Sequence, residues 1–327
     1  MHVLITGGCG FIGSYIAEHH LKKGDQVHIV DDLSLGKLEN IAHLRHHALL
    51  HFDNADIIIW PDLIKSVAEA DRIYHMAAMT GIHHLRASSV KAISTNIAGT
   101  ERVLRAVKAT GGGQRILVAS SSEVYGLSVK PTLSEKDQLL IESASNAPWD
   151  YAISKLADEA LGMVYNHAIN TPTTMIRFFS AIGPRHTSVY SAVVPKFIKQ
   201  ACNNEPMTIY GDGNQARCYC DVRDIVIGLD LIADNDKSIG EIVNVGNDKE
   251  ISTNDLAKLI RRLAKSTSEI KFVPYGEDYI ERSVNVMHRK PDLTKFYELT
   301  QYQHQWTLEQ TLEEMIKRHK SNPSAII

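Results

Sequence analysis

The sequence predicts an α/β fold built on a doubly wound parallel sheet, with a smaller C-terminal lobe. An apolar run at the N-terminus breaks into glycines and resumes as a helix, strand-like and helix-like runs then alternate, and shorter elements follow from residue 171. Alternation at this pitch is typical of right-handed βαβ crossovers, and therefore of a parallel sheet. Ligands of such sheets lie beyond the carboxyl ends of the strands, so we expect the chemistry there.

Length and charge limit the possible functions. The 327 residues suffice for one large core, or for a core with a lobe added to it, and the formal net charge of −3 predicts no basic surface for nucleic acid. No apolar run approaches the roughly 18 residues of a membrane-spanning helix, and the first predicted strand leaves no room for a signal sequence. We therefore expect a cytoplasmic protein with no membrane partner.

The predicted elements divide the chain into two parts. The predicted strands of the first half are 2–6, 26–30, 47–52, 72–75 and 115–120, and its predicted helices are 14–23, 61–69 and 91–110. A further helix from residue 150 and a sixth strand at 173–178 complete a cofactor-binding domain at 1–178. Residues 179–327 form mainly the substrate-binding lobe, and we expect a strand at 241–245 to return to the sheet.

Glycines follow the first strand at positions 7, 10 and 13. They allow the chain to turn sharply, and they let a pyrophosphate approach main-chain N–H groups and the positive end of the helix dipole. The spacing G-x-x-G-x-x-G differs from the usual G-x-G-x-x-G fingerprint, so the context has to support the motif. It predicts a dinucleotide-binding Rossmann site at Gly7, Gly10, Phe11, Ile12 and Gly13.

Asp31 and Asp32 supply that context, because they end the second predicted strand. A carboxylate about 20 residues after the glycines accepts hydrogen bonds from an adenosine ribose. It also repels a 2′-phosphate, which favours NAD over NADP.

Other strand ends carry candidate cofactor contacts, each with a structural alternative. Asp53 is placed to accept from the adenine amino group, or else it is a turn aspartate. Ala77 and Ala78 are small enough for a backbone pressed against a cofactor, or they form a tight strand-to-helix turn. Asn96 lies in an otherwise apolar helix face and bonds either a ligand or neighbouring backbone.

Tyr151 and Lys155 are the strongest catalytic candidates. They are four residues apart, so one turn of helix places them on the same face. An ammonium beside a tyrosine, together with the positive nicotinamide ring, stabilises the phenolate. Such a phenolate can remove a proton from a sugar hydroxyl while the carbon below gives hydride to NAD. The serines at 120–122 end the fifth strand, and at least one hydroxyl should face the nicotinamide.

The second half supplies cations and no convincing metal site. Its arginines available for a diphosphate are Arg185, Arg217, Arg282 and Arg289. Cys218 and Cys220 lack two further ligands at zinc spacing. His43, His46 and His47 lack a completing carboxylate or cysteine, so we predict no metal ion.

Taken together, the motifs resemble those of the extended short-chain dehydrogenase/reductase family of nucleotide-sugar epimerases, dehydratases and decarboxylases. The resemblance covers essentially the whole chain. Its motifs here are Thr6-Gly7-Gly8-Cys9-Gly10-Phe11-Ile12-Gly13, Asp31-Asp32-Leu33-Ser34, His75-Met76-Ala77-Ala78, Asn96-Ile97-Ala98-Gly99-Thr100, Ser121-Ser122-Glu123-Val124-Tyr125-Gly126, Tyr151-Ala152-Ile153-Ser154-Lys155, Gly183-Pro184-Arg185 and Tyr210-Gly211-Asp212-Gly213.

The resemblance implies roles for individual residues. Tyr151 is the base, Lys155 activates it and holds the nicotinamide ribose, and Ser121 hydrogen-bonds the reacting hydroxyl. Arg217 and Arg289 match positions that contact the substrate diphosphate. The remaining predicted residues are Ser34 for the cofactor, Glu123 for catalysis, and Thr80, Ser122, Ser180, Arg185 and Tyr210 for the substrate. The helices at 91–110 and 150–168 match those of a four-helix homodimer interface.

Family members share oxidation at sugar C4 to a 4-keto sugar and differ in the next step. A 4-epimerase needs no further acid or base, a dehydratase needs both near C5 and C6, and a decarboxylase needs a cation near the carboxylate and a proton donor for the enolate. The Ser122-Glu123 segment resembles dehydratases and UDP-glucuronate decarboxylases, and the His288-Arg289-Lys290-Pro291 segment resembles decarboxylases. The segment Trp149-Asp150-Tyr151 does not resemble the UDP-xylose-forming enzymes, and Ser180 replaces the usual Asn.

We therefore expect a UDP-sugar 4-epimerase acting on a hexose or hexuronate. The alternatives are a UDP-glucuronate decarboxylase and a nucleotide-sugar 4,6-dehydratase, and in a different class a non-catalytic NAD-binding regulator.

Overall fold

The computed structural model describes residues 1–80, 89–142, 149–186, 193–274 and 286–322. Its strands are β1 (His2–Thr6), β2 (Gln26–Asp31), β3 (Leu50–Asn54), β4 (Arg72–His75), β5 (Arg115–Ser121), β6 (Thr173–Phe178), β7 (Ala181–Ile182), β8 (Met207–Tyr210), β9 (Ala216–Cys218), β10 (Cys220–Asp221), β11 (Ile242–Val245), β12 (Glu250–Ser252), β13 (Ile270–Val273) and β14 (His288–Arg289). Its α-helices are α1 (Phe11–Lys22), α2 (Leu63–Glu69), α3 (Ser89–Ala109), α4 (Asp150–Ile169), α5 (Val193–Cys202), α6 (Val222–Asp234), α7 (Thr253–Ala264), α8 (Thr294–Thr300) and α9 (Leu308–Ser321).

A seven-stranded sheet in the order β3-β2-β1-β4-β5-β6-β11 organises the molecule. All of its neighbouring strands pair in parallel. The predicted doubly wound α/β fold is therefore confirmed. The strand order reverses between β1 and β4, and such a switch point opens a crevice at the carboxyl ends of the strands.

Apolar side chains cover both faces of this sheet. On one face, Ile5 and Ile29 belong to a buried cluster that includes Ile16 of α1 and Leu229 of α6. On the other face, Leu4 and Val30 pack with residues of α2 and α3. A sheet covered on both faces explains why its inner strands are almost continuously apolar.

A second core lies in the C-terminal part of the chain. It is formed by apolar residues of α5, α7 and α9 around Met207 and Ile209 of β8. Strand β11, from the same half, pairs with β6 and is one of the two edge strands of the large sheet. The division of the chain at residue 178 stays a prediction.

Two of the differences from the predicted boundaries affect candidate site residues. Helix α1 begins at Phe11, three residues before the predicted start, so that its first turn directly follows Gly10. Strand β3 runs to Asn54, because Asp53 and Asn54 still pair with Val30 and Asp31 of β2. Asp53 therefore lies within the strand and not beyond its end.

None of the helices in the described parts of the chain is long and apolar enough to span a membrane. The cytoplasmic location stays a prediction. Arg282 lies outside the described residues.

Candidate active site

A cavity of about 300 Å³ opens at the carboxyl ends of the sheet strands, at the switch point. It brings together most of the predicted cofactor and catalytic residues. The predicted residues in its lining are Gly7, Gly10, Phe11, Ile12, Gly13, Asp31, Asp32, Ser34, Ala77, Ala78, Thr80, Ser121, Tyr151 and Lys155.

The glycine loop has the geometry of a pyrophosphate cradle. Gly7 has φ +73°, and a Cβ there would lie 2.7 Å from the main-chain N of Ala77. Gly13 packs directly against the carbonyl of Gly7, which leaves no space for a side chain. The first N–H groups of a helix have no partner within it, and the first turn of α1 carries no acidic residue. These residues fit the diphosphate of a dinucleotide.

Asp31 lies at the adenosine end of the cavity, buried at 7% exposure. Its two carboxylate oxygens accept the main-chain N–H groups of Cys9 and Leu33, each at 2.9 Å. A carboxylate offers about four lone-pair sites, so acceptor capacity remains for a ribose. Burial raises the pKa of Asp31, the two N–H donors oppose that rise, and the charge of Asp32 adds to it. Further negative charge, as on a 2′-phosphate, would be strongly disfavoured here.

The structure does not bring Asp53 into the cavity lining, and its contact with the adenine stays a prediction. Its side chain contacts His28 and His51, on the face of the sheet that carries α2, and it is not part of the cavity lining. The cause is that β3 ends at Asn54, two residues later than predicted, so this carboxylate lies on one face of the sheet and not beyond the strand end. The residues that do line the cavity here are Ala55, Asp56 and Ile57.

Asn96 bonds neighbouring backbone, which is the structural alternative to a ligand contact. Its side-chain oxygen accepts the N–H of Met79 at 2.7 Å, and its amide donates to the Met79 carbonyl and to Ser154 Oγ. Asn96 thus joins helix α4 to the segment that follows β4 and lines the cavity. The small residues Ala77 and Ala78 line the cavity on this segment.

Ser121, Tyr151 and Lys155 line the same cavity. Ser121 ends β5 and caps a short 3-10 helix, Ser122–Tyr125, by accepting the N–H of Glu123. Tyr151 and Lys155 lie one turn apart in the first half of α4. The structure therefore assembles a hydroxyl, a phenol and an ammonium from β5 and α4, as sequence spacing predicts.

The Lys155 ammonium has a buried partner that the sequence analysis missed. Its Nζ lies 3.0 Å from Asp158 Oδ2, and the two side chains are 2% and 0% exposed. Burial alone would lower the pKa of Lys155, but the charges of Asp158 and Tyr151 outweigh it and raise this pKa. Asp158 thus keeps the lysine charged inside the protein, which makes it a positioning residue. The i, i+3 spacing on one helix was the available signal.

A buried polar network supports this wall of the cavity. Ser120 Oγ donates to Glu159 at 2.5 Å, and Arg177 forms two hydrogen bonds with the same carboxylate. The Arg177–Glu159 pair is 3% exposed on both sides. Ser120 is used in this network, so Ser121 is the cavity-lining serine that remains available to a substrate.

A second charged group, outside the cavity lining, joins Glu123 of the short helix after Ser121 to two arginines of the lobe. Arg289 pairs with Glu123 at 2.5 Å, and Arg217 is the register partner of Arg289 on adjacent parallel strands. Burial would raise the pKa of Glu123, but the guanidinium of Arg289 outweighs it and, with the charge of Arg217, lowers this pKa. Arg289 Nε is buried and makes no hydrogen bond with the described residues. The arginines of this group can therefore bind an anion.

Arg185 does not join this group, contrary to prediction. Its guanidinium pairs with Glu18 of α1, donates to Ser14 and stacks over Tyr15 at 4.0 Å. It thus anchors the segment after β7 to the first helix. Ser122 is buried, Ser180 accepts the Cys220 N–H through its carbonyl, and Tyr210 is 40% exposed at the end of β8. These three lie outside the cavity lining, and their substrate contacts stay predictions.

His186 is a further cavity residue that sequence reasoning missed. Its ring stacks on Phe11 at 4.8 Å with an interplanar angle of 10°. Burial lowers the pKa of His186 to about 4, so the ring is neutral near pH 7. It directly follows Arg185, but nothing in the local sequence indicates which of the two faces the cavity.

Comparison with known proteins agrees with this geometry. The family model described as GDP-mannose 4,6 dehydratase matches residues 4–315. The UDP-N-acetyl-alpha-D-glucosaminuronate decarboxylase of Bacillus cytotoxicus is 36% identical over 96% of this chain and 96% of its own. UDP-glucuronic acid decarboxylase 4 of Arabidopsis thaliana is 33% identical over 97% of this chain and 68% of its own.

The chain belongs to the nucleotide-sugar epimerase/dehydratase family of extended short-chain dehydrogenases/reductases. Among solved structures, the UDP-glucuronic acid 4-epimerase of Bacillus cereus in complex with NAD is 26% identical, with a TM-score of 0.85 over 100% of both chains. The predictions of an enzyme, of NAD as cofactor and of a nucleotide-sugar substrate are confirmed.

In this family member, replacing Asp31 should weaken NAD more than NADP. We expect Asp31→Ala to raise the dissociation constant of NAD by about tenfold or more, because a hydrogen bond to a charged group contributes roughly 1.5–3 kcal/mol. Calorimetry with both cofactors measures this, with Glu39→Gln, an exposed carboxylate further along the chain, as the control. An unchanged ratio of the two affinities would contradict the ribose assignment.

Asp158→Asn should move the alkaline limb of the pH profile of kcat/KM to lower pH. Burial lowers the pKa of Lys155, and without the Asp158 charge nothing of equal strength opposes it, so the lysine loses its proton earlier as pH rises. The control is Glu101→Gln, which removes an exposed carboxylate from neighbouring α3. A uniform fall in rate, with the alkaline limb in its original place, would mean that Asp158 only stabilises the fold.

Proposed function

We propose that this enzyme oxidises C4 of a UDP-hexuronate and then removes its C6 carboxylate as CO₂. The observation that carries the proposal is the group of Glu123, Arg217 and Arg289, whose Glu123 donates its main-chain N–H to Ser121 Oγ. A 4-epimerase needs no acid or base beyond the tyrosine, whereas a decarboxylase needs a cation and a proton donor. The two curated relatives described above are, by name, decarboxylases of UDP-linked uronic acids.

The first half of the reaction uses the α4 residues. Tyr151, as phenolate, takes the proton of the C4 hydroxyl while Ser121 hydrogen-bonds the same oxygen. NAD bound in the cavity would supply the acceptor for the C4 hydride. Lys155, held charged by Asp158, stabilises the phenolate and binds the nicotinamide ribose.

The second half follows from the position of the new carbonyl. A C4 ketone makes the C6 carboxylate a β-keto acid, so the C5–C6 bond breaks and its electrons move into the ketone. CO₂ leaves and an enolate remains, which must receive a proton at C5. Arginines near this oxygen stabilise its developing charge.

Glu123 is the proposed proton donor, and its pairing with Arg289 explains how it acquires a proton. In the structure the arginines lower the pKa of Glu123 and keep it ionised. Substrate anions that bind Arg217 and Arg289 compete for those charges. When the substrate anions neutralise the arginine charges, these charges no longer oppose the effect of partial burial on Glu123. The pKa of Glu123 then rises toward the range of a useful acid.

4-Epimerisation, the reaction that the sequence alone favours, is the second candidate. Its support is the structural match to the Bacillus cereus UDP-glucuronic acid 4-epimerase over the full chain. Both candidates share the substrate class and the first step, so product analysis separates them.

Incubation of the enzyme with NAD and one UDP-sugar at a time tests the proposal. We expect CO₂ and a pentose or amino-pentose product from UDP-glucuronate or UDP-N-acetylglucosaminuronate, and no CO₂ from UDP-glucose, with products identified by NMR. Tyr151→Phe should reduce turnover by about 10²–10⁴-fold and retain NAD binding, because it removes only the proton acceptor.

The Glu123→Gln variant separates the two steps. It should slow CO₂ release or product formation while C4 oxidation, seen as cofactor reduction, persists. Glu250→Gln, a carboxylate that contacts His288 and not Arg289, is the matched control. For the unaltered enzyme, a C4 epimer without CO₂ would favour the epimerase. If no nucleotide sugar gave a product, the non-catalytic NAD-binding regulator would be favoured.

We also propose the homodimer that the resemblance implies, through the helices predicted at 91–110 and 150–168. The corresponding helices α3 and α4 pack side by side, and each carries an exposed valine, Val90 at 83% and Val164 at 59%. An exposed apolar residue on a paired helix face suits burial in a partner.

Light scattering should therefore give the mass of two chains for the purified enzyme. Val164→Glu should shift the mass toward one chain, because a buried carboxylate without a partner is costly. Val129→Glu, at a valine that is 93% exposed outside these helices, should leave the mass unchanged. A single-chain mass for the unaltered enzyme would refute the dimer.

A further inference from the structure

Two imidazoles and a carboxylate converge at the edge of the large sheet. His28 lies on β2, and His51 and Asp53 lie on the edge strand β3. His28 is the register partner of His51, and Val30 is that of Asp53. Residues two apart on a strand share a face, so all three side chains lie on the side of the sheet that carries α2.

The ligand atoms are close enough to share one ion. Asp53 Oδ2 lies 2.8 Å from His28 Nε2 and 3.2 Å from His51 Nε2, and the three atoms all lie within 4.8 Å of one another. Ligands at about 2.0–2.1 Å from a tetrahedral zinc ion are roughly 3.3 Å apart. Small side-chain movements therefore convert this cluster into three ligands of one metal ion.

The surroundings suit a cation and give it a path from solvent. The cluster borders a groove of about 610 Å³ between β2, β3 and α2. Asp62 and Glu69 line the groove against a single lysine, Lys65. The His51 side chain is 68% exposed, whereas the His28 ring packs edge-on against Trp60. One ligand is thus held in place and another is open to the arriving ion.

We propose that His28, His51 and Asp53 bind a divalent metal ion of the zinc class, with water at the open position. Two imidazoles and one carboxylate form a ligand set that Zn²⁺, Co²⁺ and Ni²⁺ accept. In the described parts of the chain, no other group of three or more metal-ligating side chains comes together in this way. The site is separate from the active-site cavity, because none of its three residues lines that cavity.

The ion's role is structural and follows from the position of β3. It joins the edge strand to β2 through side chains, in addition to the main-chain ladder. The next residues after β3, from Ala55 to Ile57, line the adenosine end of the cavity. Metal binding should therefore stabilise this end of the cofactor site without taking part in the reaction.

Zinc titration of the full chain without a polyhistidine tag, freed of metal by a chelator, tests the proposal. We expect one tightly bound Zn²⁺ per chain by calorimetry, a higher midpoint of thermal unfolding, and a visible absorption spectrum with Co²⁺. His51→Ala and Asp53→Asn should each weaken binding by about tenfold or more, since removing even an indirect partner of a metal ligand commonly costs that much. His46→Ala removes an exposed histidine outside the cluster and should bind as the parent does.

Two results would overturn the proposal. One is an absence of zinc binding by the parent chain, and the other is equal affinity in the parent and in both His51→Ala and Asp53→Asn, which would assign the ion to other surface histidines. His51 is mostly exposed, so its loss should not unfold the chain, and circular dichroism verifies this. If Asp53→Asn fails to fold, His51→Gln serves as the second variant.

Discussion

The active-site cavity depends on a close approach of two main chains. The turn after β1 passes so near to Ala77, at the end of β4, that a side chain at Gly7 would overlap its backbone. These strands flank the switch point, and their contact sets the floor of the crevice between them. Asn96 holds the next part of the same segment to α4. The glycine loop therefore positions the helix that carries Tyr151 and Lys155, as well as the diphosphate.

Buried charges in this site fall into two kinds. Both side chains of the Arg177–Glu159 pair are buried, and the Glu159 carboxylate also accepts a hydrogen bond from Ser120. The pair therefore acts as a fixed support. Taking charges out of water is costly, so such pairs are retained only with good geometry. The Glu123 side chain, in contrast, is 46% exposed while its partner Arg289 is 6% exposed. That asymmetry allows the carboxylate to leave when a stronger anion arrives, whereas the arginine stays.

Sequence reasoning succeeded where function depends on short spacings. The glycine loop and the Tyr151–Lys155 pair are each encoded within one turn or one helix, and both lie where predicted. It failed where a position depends on tertiary contacts. Strand β3 ends two residues later than predicted, which places Asp53 next to His28, and Arg185 pairs with Glu18, far away in the chain. The three-residue cluster at the sheet edge needs the register of β2 against β3, which no local pattern specifies.

The choice of reaction rests on residues from both halves of the chain. Glu123 follows β5 of the large sheet, while Arg217 and Arg289 lie on the paired strands β9 and β14 of the lobe. In the reaction we propose, an anionic sugar nucleotide that binds the arginines would separate this ion pair, so binding would change the protonation of Glu123. In an epimerase that coupling would have no use, because rotation of the keto sugar needs no acid at C5. A decarboxylase needs an acid only after the 4-keto carboxylate has formed, and a glutamate released by the substrate satisfies that order of events.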